Sequence, residues 1–378
     1  MRRPGPWVRA ALAAFACVLC AVCAGGGGDV GGAQGPKIRF AVIGDFGSSS
    51  EGVKGKDDLR RSERLVAEMV KGWNPAFIVA LGDNNYECGA AETIVENIGQ
   101  YYCDFIYNPG APQGQVCQGR AARDKQNRFF PVIGNHDCYA PGAKPHLAYF
   151  SELPGNRRYY DFVQGPVHFF ALNSEAKQAC EKLEEEEEKE AAEREAAGKK
   201  PKGPPCGGAS CDCEPDGATQ DSKQALWLRK ALEASKAEWK LAFFHRPPYS
   251  CGEKTTAEWM RWPFEAWGMS GVLTGHRHVY ERIVRKDSPN FPYFVNGVGG
   301  TELSGCKKAD TPVNLPPAEF DAVHVEDRHG AMLVEASATE LTFQFYSVSD
   351  KGEPKLHDTC RLTKTGKGQS LKCEQSKG

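Results

Sequence analysis

Five short apolar runs in this chain stop at a residue able to bind a hard metal ion. IRFAVIG reaches Asp45, AFIVALG reaches Asp83, FFPVIG reaches Asn135 and His136, LAFF reaches His245, and GVLTG reaches His276, Arg277 and His278. Tyr86 follows Asp83 by three positions. Carboxylates, an amide oxygen, a phenol and imidazoles form a mixed oxygen and nitrogen donor set that suits first-row metal ions; no cysteine ends any of the runs, so thiolate-rich structural zinc is not indicated. A carboxylate shared by two cations, with terminal ligands on either side, is what holds two metals about 3.5–4 Å apart for phosphoryl displacement. A single strand ending in Gly-Asp is common; five runs in order that each stop at a candidate ligand form a pattern.

Apolar runs this short read as buried strands, and open α/β sheets place their chemistry where such strands end. The spacing around them predicts a strand at 37–44, a helix within 57–73 with Leu59, Val66, Met69 and Val70 on one face, and a strand at 76–81. A helix near 91–100, a cysteine-containing loop at 103–127, a strand at 129–133 and β-rich runs at 158–163 and 167–173 follow. Residues 180–218 interrupt this order with a Glu/Ala/Lys run and a Pro, Gly and Cys-rich patch, read as a solvated surface insertion, with a partner-binding arm as the alternative. Beyond it the pattern predicts an amphipathic helix within 220–239, a strand at 240–244, a helix at 256–267, and strands at 271–274, 279–285 and 292–296. The alternating segment 331–348, with a turn at Ser337, Ala338 and Thr339, predicts a hairpin packed on the second sheet.

GDFG at 44–47, GDNNY at 82–86, GNHD at 134–137, AFFHRPPY at 242–249 and GHRHVYER at 275–282 resemble the ordered motifs of the purple acid phosphatases, a branch of the calcineurin-like metallophosphoesterases. The resemblance covers roughly 37–300, includes RYYDFVQGPVHFFALNS and PYFVNGVGG, and is closest to the low-molecular-weight type. It implies an α/β fold, a four-layer αββα sandwich of two mixed β-sheets flanked by helices. It also implies that Asp45, Tyr86 and His278 hold one metal, that Asn135, His245 and His276 hold the other, and that Asp83 bridges both. The activity implied is acid hydrolysis of phosphomonoesters, with His136 protonating the leaving alkoxide or meeting the phosphate alongside Asn135.

Where the wider family has Asp-x-His in the first motif, this chain has Asp45-Phe46-Gly47, and Tyr86 is present. A phenolate is a hard anionic donor that favours Fe(III), so the expected centre is Fe(III) plus a divalent ion, Fe, Zn or Mn. Tyr86 as an ordinary loop tyrosine is the bland alternative. Arg246 departs from small relatives, which commonly carry a second histidine there; Arg246 or Lys254 is expected to hold substrate phosphate, unless Arg246 pairs with a surface carboxylate. An ion pair within a strand is the expected role of Tyr280, Glu281 and Arg282. Two alternatives stay open, a manganese- or zinc-dependent phosphodiesterase or nucleotidase and a secreted binding protein on the same scaffold.

The 378 residues are 40% hydrophobic with a formal net charge of −2, enough chain for a sizeable core and no electrostatic reason to expect nucleic acid or an anionic membrane as partner; small phosphate esters are the partners expected. Arg2, Arg3 and Arg9 precede an apolar stretch ending near Val22 and Ala24, which reads as a signal peptide over 1–24 followed by a Gly-rich linker at 25–36, an uncleaved anchor being the alternative. The catalytic domain is expected over 37–350, with a tail at 351–378 and no additional N-terminal β-domain of the plant type. Twelve cysteines follow residue 24, which suggests several disulfides and a secreted or secretory-lumen location, whether extracellular, periplasmic or vacuolar. Bonds at Cys138 and Cys251 would brace the ligand loops, whereas Cys206, Cys211 and Cys213 lack the spacing of a metal cluster.

Overall fold

The computed structural model describes residues 37–47, 56–181, 206, 213–251, 256–304, 306, 319–366 and 368–376. The expected signal and linker, most of the charged insertion, the side chain of Leu59, and Lys254 lie outside the described residues. Among the described residues two seven-stranded mixed sheets form the frame.

The first sheet is built on β1 (Ile38–Ile43), β2 (Phe77–Ala80) and β3 (Phe129–Pro131), which run parallel, with Ala41 opposite Ile78 and Val79 opposite Phe130. The second contains β4 (Tyr160–Gln164), β5 (Val167–Ala171), β6 (Trp239–Phe244), β7 (Gly271–Thr274), β8 (Tyr280–Arg285), β9 (Ser288–Asn296) and β10 (Phe320–Val325). Within it β5, β6, β7 and β9 are mutually parallel in spatial order. These parallel strands are buried along most of their length, and their near-continuous Val, Ile, Leu and Phe content is what burial on both faces requires.

One outer layer is α1 (Lys56–Gly72), which packs on the first sheet and buries Val66, Met69 and Val70, as their helical spacing predicts. On the far side, α2 (Lys223–Ala234) starts at Ser222, whose hydroxyl accepts from the Ala225 amide as an N-cap. Its Ala225, Leu228 and Leu232 pack with Phe170, Ala242 and Phe244 on the outside of the second sheet. Between the sheets lies an aromatic core: Phe169 meets Phe40 and Phe77 edge-on at 5.0 and 5.3 Å, and Tyr280 stacks on Phe345 at 3.9 Å. Polar atoms that cross this gap are paired. Trp239 Nε1 donates to the Ser337 carbonyl at 2.7 Å, Tyr160 Oη to Pro131 at 2.7 Å, and Asn296 Nδ2 to Val42 at 3.0 Å.

Four expectations need correction. The predicted terminal hairpin forms as β11 (Gly330–Ala336) and β12 (Glu340–Val348), but it joins the first sheet, with β11 antiparallel to β1 through Ile38 opposite Ala336. The segment set apart as a tail continues that sheet as β13 (Pro354–Thr365) and β14 (Gly368–Gln375), closed by the Cys360–Cys373 disulfide. The helix expected at 256–267 is only a 3-10 turn at Glu258–Met260. Pro263 disfavours helical backbone at Trp262, and Trp262 and Phe264 are buried as core side chains. The helix expected near 91–100 is a π turn at Val95–Gly99 running into Gln100–Tyr102.

Arg282 is the strand ion pair anticipated in the sequence, and its partner, Asp358, comes from the other sheet. The guanidinium donates to Asp358 at 2.9 and 3.2 Å, Tyr280 Oη adds a 2.8 Å bond, and both charged side chains are buried. Removing one member leaves a buried charge unpaired, which costs about 3–5 kcal/mol. Asp358→Ala is therefore expected to lower the urea midpoint sharply, whereas a shift equivalent to less than about 1 kcal/mol would show that water replaces the carboxylate at this joint.

Candidate metal centre

The five ligand-bearing segments all follow the carboxyl ends of parallel strands: Asp45 after β1, Asp83 after β2, Asn135 after β3, His245 after β6, and His276 and His278 after β7. The two sheets place these ends together. Two groups of donor atoms result, Asp83 with His245 and His276, and Asp45 with Asp83 and His278; within each, all ligand atoms lie within 4.8 Å of one another. Asp83 belongs to both.

Backbone conformation aims these side chains. Asp45, Asp83 and His276 adopt left-handed φ values of 54°, 48° and 67°, which cost energy in a non-glycine residue and persist where the surrounding structure fixes them. Asp45 is locked by its amide on Gly82 O at 3.1 Å and by its carbonyl accepting from Thr301. Gly134 lies so close to Asp83 that an added Cβ would sit 2.2 Å from its amide nitrogen and Oδ1, so the third motif requires glycine.

Tyr86 completes the first group. Its Oη lies 3.2 Å from Asp45 Oδ1, 3.1 Å from Asp83 Oδ2 and 3.3 Å from His278 Nε2, so the hydroxyl faces side chains of the first group. A histidine at position 47 has no room, because a Cβ there would lie 1.7 Å from Asn84 O. In the second group, His245 Nε2 faces Asn135 Oδ1 at 3.0 Å, Asp83 Oδ2 at 3.3 Å and His276 Nδ1 at 3.2 Å. The remaining ring nitrogens are tied behind the cluster, His245 Nδ1 to Leu81 O at 2.8 Å and His278 Nδ1 to Glu302 O at 2.6 Å. Such outer bonds fix ring orientation in metal sites.

The electrostatics fit cations. Asp45 and Asp83 are buried with almost no exposure. Burial raises the Asp83 carboxyl, but the neighbouring His245 and His136 outweigh it and hold the group well below the usual range. Burial opposes protonation of His245, yet the Asp83 carboxylate pushes it up to about 10. Burial, Asp83 and Asp45 together drive the Tyr86 phenol well above its ordinary value. A donor set that lifts protons onto its own imidazole and phenol is one that positive charge would relieve, and cations in both groups would release those protons.

His136 reaches Asp83 Oδ1 through its amide at 2.8 Å, lies 4.2 Å ring to ring from Tyr86, and directs Nδ1 at Glu87 O, 2.5 Å away. That leaves Nε2 as its other nitrogen. Asp137 closes the turn, accepting from Gly134 N at 3.0 Å and from Asn84 Nδ2 at 2.9 Å. Arg246 is buried and its partner is not a surface carboxylate. Nε pairs with buried Glu175 at 2.9 and 3.0 Å, the Arg246 amide binds Ser174 Oγ, and Nη1 lies 3.2 Å from His276 Nε2. Glu175 and Asn84 were not anticipated. Glu175 nevertheless lies three positions beyond FFAL, a further apolar run that stops at a polar residue, Asn173.

Disulfides tie the ligand loops. Cys138–Cys213 and Cys251–Cys306 do so where expected, and Cys88–Cys206 fixes the chain two positions beyond Tyr86. Cys206 and Cys213 are thereby excluded from a metal cluster. Cys251, Glu281, Cys306 and His324 also converge, with both sulfurs committed to the disulfide.

Among solved structures, a purple acid phosphatase isolated from yellow lupin (Lupinus luteus) seeds superposes with a TM-score of 0.57 at 13% identity, over 88% of this chain and 55% of that one. The chain thus spans about half the length of the lupin enzyme. GAP50, described as the anchor in the inner membrane complex of Plasmodium, matches with a TM-score of 0.51 at 15% identity over 85% and 88%, and PhoD with 0.53 at 12% over 92% and 73%. At these identities the likeness is one of fold. No curated protein matches the sequence. The profile described as calcineurin-like phosphoesterase matches residues 38–280, a span that holds every ligand segment assembled above, and the chain belongs to that family.

Proposed function

We propose that this protein is a dinuclear metal-dependent phosphomonoesterase of the purple acid phosphatase kind, with Fe(III) held by Asp45, Tyr86 and His278, a divalent ion held by Asn135, His245 and His276, and Asp83 shared. The observation that carries this reading is the pair of donor groups meeting at Asp83, one of them supplied with a phenol where Gly47 leaves no space for an imidazole. Two cations there supply neutralisation of the phosphoryl oxygens and ionisation of water at low pH.

The chain's own residues do the remainder. Asn135 and His136 open the third segment with His136 Nδ1 bound to Glu87 O, so Nε2 is the nitrogen that delivers a proton to the departing alkoxide. Arg246, expected from sequence to grip phosphate, is engaged by Glu175 and His276; we assign it to positioning His276 rather than to the substrate. The expected cleaved signal and the disulfides support a secretory location for this activity.

With iron and a divalent ion supplied, the protein should hydrolyse an aryl phosphate monoester between about pH 4 and pH 8 and turn over the matching diester far more slowly. Diester turnover equal to or above monoester turnover would favour the phosphodiesterase reading. No turnover of either by metal-loaded protein would exclude the enzyme reading. For His136→Asn, loss of general-acid help should lower kcat by about 10²-fold or more on an alkyl phosphate, and by much less on p-nitrophenyl phosphate, whose leaving group needs no proton. Equal losses on both substrates would remove the acid role. Arg246→Met separates positioning from phosphate binding: reduced metal content of the purified variant is expected, whereas full metal content with only KM raised would return Arg246 to the substrate.

A further inference from the structure

At the opposite ends of the same parallel strands the chain forms a cavity of about 450 Å3, within the size range of small-molecule sites. It lies at the start of β1 and β2 and just before β3, where Lys37, Arg39, Arg120 and Arg128 line it together with the amides of Gln126 and Asn127. Among the described residues no carboxylate lines it. Glu335 and Asp124 hold Arg39 and Arg120 from outside the cavity, at 2.7 and 3.3 Å.

Arg128 is the least exposed of these four cations. Its guanidinium donates to the carbonyls of Asp104 at 2.8 Å and Ala76 at 3.5 Å, lies 4.6 Å from the centre of the Phe105 ring, and keeps Nε buried without a hydrogen-bond partner. Burial, followed by the charge of Arg120, lowers its pKa, and Asp124 and Asp104 offset this only in part. Cations gathered round a concavity repel one another unless an anion sits between them, and the planar arginine donors match phosphate oxygens in pairs. Ile38 and Phe77 add apolar surface beside the charge.

We infer that this cavity is an anion site, separate from the metal centre, for a small molecule bearing a diphosphate group. Lys37 and Arg120 are its entrance cations, and Arg128 is its inner one. The site does not depend on the hydrolytic reading, because none of its residues is among the proposed metal ligands.

Calorimetric titration of the metal-loaded protein with two non-hydrolysable probes tests this inference: methylenediphosphonate as the inorganic form and α,β-methylene-ADP as the organic one. A binding event that weakens at least tenfold in the double variant Lys37→Ala/Arg120→Ala, while aryl phosphate turnover and metal content stay at wild-type values, supports the site. Arg120→Lys should restore only part of the binding lost in Arg120→Ala, because it keeps the charge but not the paired donors. Tighter binding of the nucleotide identifies an organic ligand held partly on Ile38 and Phe77, and equal binding identifies phosphate groups alone as what is read. Isotherms of the double variant that superimpose on wild type for both probes would overturn the inference, whatever the protein's turnover.

Discussion

Two carboxylates, Asp45 and Asp83, lie side by side in the interior with a phenol between them, and the rest of the site is arranged round the cost of that burial. An unpaired buried charge is expensive, so such a group is either neutralised by protonation or compensated by cations. Here the Asp83 carboxylate raises the His245 imidazole against the effect of burial, and burial with the two carboxylates drives the Tyr86 phenol well above its ordinary value. Metal ions are the compensation that would free all of these donors at once, and the two groups that meet at Asp83 define where two ions fit.

Such an arrangement cannot rest on loops alone. Parallel strands deliver each ligand from a rigid end, left-handed backbone at Asp45, Asp83 and His276 turns the side chains inward, and disulfides close the loops beyond Tyr86, Asn135 and His245. Strained residues of this kind survive because buried strands overdetermine them. The buried joint between Arg282 and Asp358 and the aromatic layer under it keep the two sheets, and therefore the two sets of ligands, in register.

The parts of the protein legible in sequence were those written locally. Strand ends carry their ligands in order, so the donor set and the α/β frame followed from apolar runs and their last residues. Long-range pairing was not written in that way: nothing in 331–348 says that it will lie beside β1, and nothing in 354–375 says that it extends the same sheet. Local preference also lost to burial at 258–264, where the aromatic residues were needed in the core. Arg246 shows the same limit within the site. Its type suggests phosphate, but in the fold its guanidinium is paired with Glu175, 71 residues away in sequence.

A trivalent iron at this site needs the oxygen of Tyr86 as a donor. The visible absorption spectrum of the iron-loaded protein, measured beside Tyr86→Phe with the iron and divalent metal content of both, tests that most directly. The expected result is a phenolate-to-iron band in the native protein that disappears in the variant while the divalent ion remains bound. A colourless native protein that contains iron, or a band that persists without the phenol, would contradict it.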